Sequence, residues 1–298
     1  MIKDSISRKL FNAFNILFMC LMMVVMLFPY LHIFAKALNE GTDSSRGGIL
    51  IWPRVPTWEN FQTILTDPKI IKAAGVSIYS VVVGTILHLF TQFTAAYAFL
   101  KRTMRGRSAL LMFFMIPMYF GGGIIPAYIL YGQVGLLNNY LIYVLPGCFS
   151  VYNMVIIRSY LRSIPASLFE AAKLDGASEF AVFAKIVLPL SLPILATIGL
   201  WTAVGMWSNW TTALYYVTRR DMWNLQYVLV QILKESDAIR EMMLEAQRLG
   251  EEVGQLPKMT SESLKCAQVM VTSLPIIAVY PFVQKYFIKG ATLGAVKD

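Results

Sequence analysis

Long apolar runs alternate with short polar stretches along most of the chain. A hydrocarbon layer about 30 Å thick takes about 20 mostly apolar helical residues, each rising about 1.5 Å. Six runs qualify, over residues 11–35, 74–99, 108–131, 140–158, 190–214 and 266–287. Backbone groups left unpaired cannot face lipid, so each run is predicted to be a helix. The pattern predicts an all-α polytopic membrane protein with six transmembrane helices in one domain over residues 1–298. Loops fall at 36–73, 159–189 and 215–265.

Lys3, Arg8 and Lys9 precede the first run, and Ala35-Lys36-Ala37 after it imitates a signal-peptide cleavage site. The run is about twice the length of a signal-peptide apolar core, so an uncleaved first helix is expected. Prolines recur inside the runs, at Pro29, Pro117, Pro126, Pro146, Pro193, Pro275 and Pro281. Each removes a ladder hydrogen bond and favours a kink, which neighbouring helices can accommodate. The triplet Gly121-Gly122-Gly123 ahead of Pro126 predicts a break or a close helix contact. In the first long loop, Trp52-Pro53, Pro56 and Trp58 have the pattern of an aromatic belt at headgroup level. In the last, Glu235 to Val253 reads as a polar external helix, or alternatively as a loose connector.

The basic residues orient these runs. With the N-terminus cytoplasmic, the inner side holds Lys3, Arg8, Lys9, Lys101, Arg102, Arg105, Arg107, Arg158, Arg162, Lys173, Lys185, Lys285, Lys289 and Lys297. Only Asp4, Glu170, Asp175, Glu179 and Asp298 oppose them there, and the outer side is left balanced. Both termini are expected inside.

Composition agrees. Hydrophobic residues are 57%, charged residues 14%, and mean hydropathy is +0.58, against about 45–50% apolar and about 25% charged in soluble domains. The formal charge of +9 sits between apolar runs rather than on a basic patch, which excludes nucleic acid and points to a membrane surface. Cys20, Cys148 and Cys266 form no Cys/His cluster, so neither a disulfide framework nor a metal site is expected. His32 and His88 read as packed or interfacial side chains.

The loop at 159–189 is patterned. Pro165, Ser167 and Glu170 give helix-start chemistry, and Leu168, Ala171, Ala172 and Leu174 can share a face. Asp175-Gly176 stops that helix, and Ser178 can cap a second one running to Ile186 ahead of Pro189. A short helix, a tight turn and a second helix entering the membrane are predicted. Such an element suits docking, although any pair of amphipathic helices in a loop would show similar spacing.

Glu170-Ala171-Ala172, then Gly176, then Ile186, Leu188 and Pro189, resembles the "EAA" signature of permease subunits in bacterial ABC importers. Asp175, Ala177, Phe183 and Pro193 fit the fuller pattern. Gly122 to Pro126, Leu136-Leu137-Asn138, Leu145-Pro146-Gly147 and Pro281 to Gly290 resemble carbohydrate-uptake permeases, most nearly those for alginate-type or pectin-type oligosaccharides. The resemblance implies a type I ABC importer permease fold in a bacterial cytoplasmic (inner) membrane. It implies a coupling role for Glu170, Ala171, Ala172, Asp175 and Gly176 against a separate ATPase. The implied partners are two ATPase subunits, a second permease expected to be non-identical, and an extracytoplasmic solute-binding protein. ATP and Mg would be bound by the ATPase subunits, with no cofactor in this chain, which lacks a P-loop pattern.

Sugars pair hydroxyls with apolar C–H faces, so aromatic and amide side chains inside the runs are candidates to line their path. These are Tyr119, Tyr143, Tyr152, Asn153, Trp201, Trp207, Asn209 and Trp210; interfacial anchoring or packing explains such residues equally well. Two alternatives stay open. The same scaffold would serve a peptide or amino acid, and a secondary transporter would need intramembrane ionisable groups, of which the runs hold almost none beyond His88.

Overall fold

The structure, a computed structural model, describes residues 6–101, 103–235 and 261–295. Helix dominates the described residues. The only β pairing among them is an isolated bridge between Asn39 and Pro56. Two compact units are present, Met1–Ile70 with Leu229–Leu274, and Ile71–Val228 with Pro275–Asp298.

The first unit opens with α1 (Ile6–Ala37), followed by α2 (Gly41–Ser45) and α3 (Glu59–Thr66). None of the apolar window of α1 is buried, and its mean hydropathy is 2.3. Two buried asparagines tie off its end. Asn60 Nδ2 donates to the carbonyls of Ala37 and Asn39, each at 2.9 Å. Asn39 Oδ1 accepts from the Val55 amide at 2.8 Å, and its Nδ2 reaches Asp43 and Ser44. Arg54 and Asn39 together hold the Asp43 carboxyl below the usual range, the Asn39 hydrogen bond being the larger cause.

The second unit takes in most of α4 (Pro68–Ala98), then α5 (Arg107–Tyr119), α6 (Ile124–Gln133), α7 (Val151–Leu161) and α8 (Ala166–Leu174). After these come α9 (Glu179–Leu190) and α10 (Leu192–Trp207), α11 (Thr211–Tyr216) and the start of α12 (residues 225–235), whose remainder belongs to the first unit. The last helix is α13 (Ser261–Ala295). The helix expected at Glu235 to Val253 lies, beyond its first residue, outside the described residues.

α1, α4 and the segment Glu262–Val279 of α13 are long and apolar enough to cross a membrane. Two further runs are broken: α5 and α6 meet at 115°, α9 and α10 at 73°. The first break is the one the glycine triplet announces, since Gly123 has φ of +84°. Pro126 and Pro193 sit in the first turns of α6 and α10, where a missing N–H costs no ladder bond. At the second break the Ser191 hydroxyl donates to the Val187 carbonyl at 2.6 Å, and Tyr160 Oη donates to the Leu190 carbonyl at 3.1 Å. The Leu190 carbonyl at the break is thereby given a partner from α7. Residues 140–158, expected as one helix, instead hold a 3-10 turn at Tyr140–Tyr143, a looped stretch through Gly147, and the 11-residue α7.

Lipid tails are as apolar as leucine, so close packing rather than water exclusion joins such helices. One core combines Phe93 and Ala96 of α4, and Phe99 just past its end, with Met154, Ile157 and Leu161 of α7 and Ala172, Val187 and Ile198. α4 and α10 approach through glycine notches. A Cβ on Gly199 would lie 3.2 Å from Leu89 Cδ1, and one on Gly84 only 2.3 Å from Met206 Cε.

Candidate functional site

The α8–α9 segment has the predicted shape. Pro165 takes the N-cap of α8 without a side-chain bond, its fixed φ serving instead. At the other end the Ala177 amide donates to the Ala172 carbonyl at 2.9 Å and the Gly176 amide to that of Lys173 at 3.1 Å. That is a Schellman motif, and its left-handed position is Gly176 at φ +76°. Ser178 Oγ then accepts from the Ala181 amide at 3.2 Å and starts α9. A π-turn over Phe183–Val187 precedes Pro189, its wider spacing relieving the ring's clash with the preceding turn.

The segment is seated on the second unit's core. Ala172 and Val182 are buried, with Phe169, Ala177 and Phe183 partly covered against them. Phe183 packs on Phe93 and Tyr97 with ring centroids 5.1 Å apart in both pairs. Glu179 Oε2 lies 2.9 Å from Lys101 Nζ and accepts from Tyr97 Oη at 3.1 Å. The hydrogen bond from Lys101 is the first cause holding the Glu179 carboxyl below its usual range. Of the five expected coupling residues, Glu170, Ala171, Asp175 and Gly176 are exposed, while Ala172 faces the core. Beside them Leu174 is 89% and Phe180 78% exposed. Sequence reading assigned those two no outward role. Their place on either side of the Gly176 turn is the signal that was available.

The aromatic and amide candidates divide. A cavity of about 250 Å³ is lined by Tyr143, Asn153, Trp201 and Asn209 together with Ser80, His88, Thr202, Met206 and Thr212. Within it Tyr143 Oη donates to the Met222 carbonyl at 2.9 Å, and Asn209 Oδ1 accepts from the Thr212 amide at 3.1 Å. Those polar groups already support the fold. Among the described residues, the Asn153 and Trp201 side chains carry no such internal hydrogen bond. His88 Nε2 lies 3.2 Å from the Val144 carbonyl, as befits a packed histidine that also borders the cavity. Trp207 lies instead among Val82, Ala203 and Val204, and Trp210 packs on the core around Tyr143 and Ala213. Tyr119 and Tyr152 are exposed on α5 and α7. Ser80, Thr202 and Thr212 were missed because isolated hydroxyls in apolar runs are common helix-backbone partners.

Comparison with known proteins places this geometry. Residues 93–292 match the model of the binding-protein-dependent transport system inner membrane component. The chain is 36% identical over 289 residues to Protein LplC of Bacillus subtilis (strain 168), covering 97% of this chain and 95% of that protein. It is 32% identical over 290 residues to the polygalacturonan/rhamnogalacturonan transport system permease protein YtcP of the same organism, covering 97% and 99%. Among solved structures it is similar to a bacterial ABC transporter involved in the import of the acidic polysaccharide alginate, with a TM-score of 0.85 and 26% identity over 96% of this chain and 100% of that one. This chain therefore belongs to the family of inner membrane components of binding-protein-dependent transport systems, and it is a multi-pass protein of the inner membrane.

Proposed function

We propose that this chain is a permease subunit of an ATP-driven importer that carries an oligosaccharide, and that the α8–α9 turn receives force from a separate ATPase. The observation that carries the coupling role is the turn itself. Exposed Leu174 and Phe180 flank a left-handed glycine on a base fixed by core packing and the Lys101–Glu179 pair. Apolar side chains held in that way are suited to a partner's groove, and a rigid base passes displacement to α10 rather than absorbing it. Glu170, Ala171, Asp175 and Gly176 form the exposed edge of this element, with Ala172 as its root. ATP-driven closure of two ATPase subunits would then shift a two-state equilibrium between inward-facing and outward-facing forms.

Cargo is read from the cavity and the relatives. Trp201 offers a stacking face and Asn153 a directional amide beside Ser80, Thr202 and Thr212, a combination suited to a hydroxylated ring. At about 250 Å³ the cavity is below the roughly 300–1,000 Å³ of complete ligand sites, which suits a half-site completed by a second, non-identical permease. α5 and α6, with no buried residue, offer apolar surface to lipid or to that partner. The relatives named for pectic substrates and alginate support an oligosaccharide from a complex polysaccharide, delivered by a solute-binding protein. Six spans with both termini inside suit the basic residues and the broken runs, residues 140–158 supplying the sixth crossing.

The test is reconstitution of the full assembly in proteoliposomes. ATP turnover should rise when pectic or alginate oligosaccharide is added with the solute-binding protein. Turnover that responds to amino acids or peptides and ignores saccharides would defeat the cargo assignment.

A further inference from the structure

The loop between α2 and α3 is built to present an apolar tip. Gly47 and Gly48 both take left-handed φ values, +73° and +76°, which reverse the chain directly after Arg46. Arg54 closes the base: its Nη2 donates to the Gly47 carbonyl at 2.7 Å and to that of Asp43 at 3.1 Å, and its Nε to Asp43 Oδ2 at 3.0 Å. The tip between them reads Ile49-Leu50-Ile51-Trp52-Pro53 and carries no charge. Ile49 is buried, while Leu50, Ile51 and Trp52 are 64%, 51% and 81% exposed. A loop stiffened at both ends is holding three large apolar side chains away from its own unit.

One bond fixes where the tip lies. His32 Nδ1 and the Leu50 carbonyl oxygen are 2.9 Å apart, and because a carbonyl only accepts, His32 is the donor. His32 also stacks on Phe28, one turn earlier. The loop leaves the end of α1 at Ala37 yet returns to it five residues earlier, about 7.5 Å back along the helix. Lys36, ion-paired with Glu262 at 2.6 Å, marks the watery end of α1. A polar interfacial layer is about 5–7 Å deep on each side of the hydrocarbon, so a tip at the level of His32 lies at its inner boundary. There it continues the exposed apolar surface of α1 formed by Phe28, Leu31 and Phe34.

We infer that the Gly47–Arg54 loop is a latched membrane-surface anchor, with Leu50, Ile51 and Trp52 inserted at the headgroup–acyl boundary beside α1. The occupant is lipid because the tip extends a helix face that already meets lipid, and because uncharged aromatic and aliphatic groups partition to that depth. Its role is to fix the depth of the outer end of α1 and, through Asn39 and Asn60, of the loop that follows. The inference stands apart from the cargo and coupling assignments.

The full chain, with its three cysteines replaced by serine, is labelled with an environment-sensitive fluorophore at Ile51→Cys and, as a water-exposed control, at Gln62→Cys. It is then reconstituted in vesicles of phosphatidylcholine and phosphatidylglycerol. Lipid carrying a nitroxide at carbon 5 should quench the label at 51 at least twofold more than the label at 62, and iodide should show the reverse order. Adding Arg54→Ala should bring the label at 51 toward the control while leaving helix content unchanged. Leu50→Cys is the substitute should Ile51→Cys fail to insert. Iodide quenching at 51 equal to that at 62 would overturn the anchor. So would shielding that appears only when the solute-binding protein is added, which would make the tip a protein-docking surface.

Discussion

Gly176 offers the cleanest perturbation of the proposed docking turn, because its environment separates backbone strain from crowding. Its φ is +76°, and a Cβ built there meets no atom within 4 Å. A side chain at 176 therefore costs only what the left-handed backbone costs, about 1–2 kcal/mol for an ordinary L-residue and less for asparagine. An energy of 1–2 kcal/mol changes a two-state ratio by roughly 5–30-fold. Gly176→Ala should reduce the closed turn by that factor relative to opened forms, Gly176→Asn by less, and β-branched Gly176→Val by more. The two Schellman bonds from Gly176 and Ala177 are lost whenever the turn opens. The assay is sugar transported per ATP hydrolysed in proteoliposomes, together with the amount of inserted protein. Coupling should fall in the order Gly, Asn, Ala, Val at constant insertion, because the residue is exposed and far from the core's packing. Equal coupling in Gly176→Val and the parent would refute the reasoning, as would an asparagine variant worse than the alanine one.

Four other outcomes follow from the geometry. Gly84→Ala drives Met206 out of its notch toward the cavity it lines; Met206→Ala should rescue it, with a coupling energy of about 0.5–3 kcal/mol in thermal unfolding of the solubilised protein. Asn138, at φ +55°, accepts from the Thr218 amide and hydroxyl and the Arg219 amide at 2.8, 3.0 and 3.2 Å. Asn138→Ala loses both the conformation and the acceptor, so Asn138→Gly should be milder by about 1 kcal/mol on the same assay. Tyr143→Phe removes the hydroxyl that bonds the Met222 carbonyl, costing about 1 kcal/mol of stability with an unchanged KM for uptake. Trp201→Ala should instead raise that KM roughly fivefold, for a stacking contact of about 1 kcal/mol.

What the sequence made legible was whatever local rules decide. The membrane class follows from run length alone. The Gly121–Gly123 break and the Ser178 cap follow from single residues whose backbone preferences are strong. Residues 140–158 show where such reasoning ends. Their hydropathy reports an apolar environment, and that is met here by a 3-10 turn, a glycine at φ +74° and a short helix as well as by one continuous span. Hydropathy does not see whether carbonyls are paired along the run or from elsewhere. The Val144 carbonyl, for one, is met by His88 and that of Cys148 by Thr91, both on α4. The cavity was half legible for a related reason. Trp201 and Trp207 are six residues apart on α10 and alike in chemistry, yet only the first lines it. Both neighbourhoods include α4 residues, and what separates them is that Trp201 shares its cavity with Tyr143, Pro146 and Asn153 whereas Trp207 lies beside Ile78 and Val82, a tertiary fact.

If the α8–α9 turn is where ATP energy enters, its sidedness and its cover are directly measurable through Leu174, the most exposed large apolar residue beside it. With Leu174→Cys in an otherwise cysteine-free chain, a membrane-impermeant maleimide should label inside-out vesicles stripped of ATPase and leave right-side-out vesicles unlabelled. Adding back the ATPase subunits should then suppress labelling several-fold. Labelling from the outer face, or labelling untouched by the ATPase, would contradict the coupling role assigned to this turn.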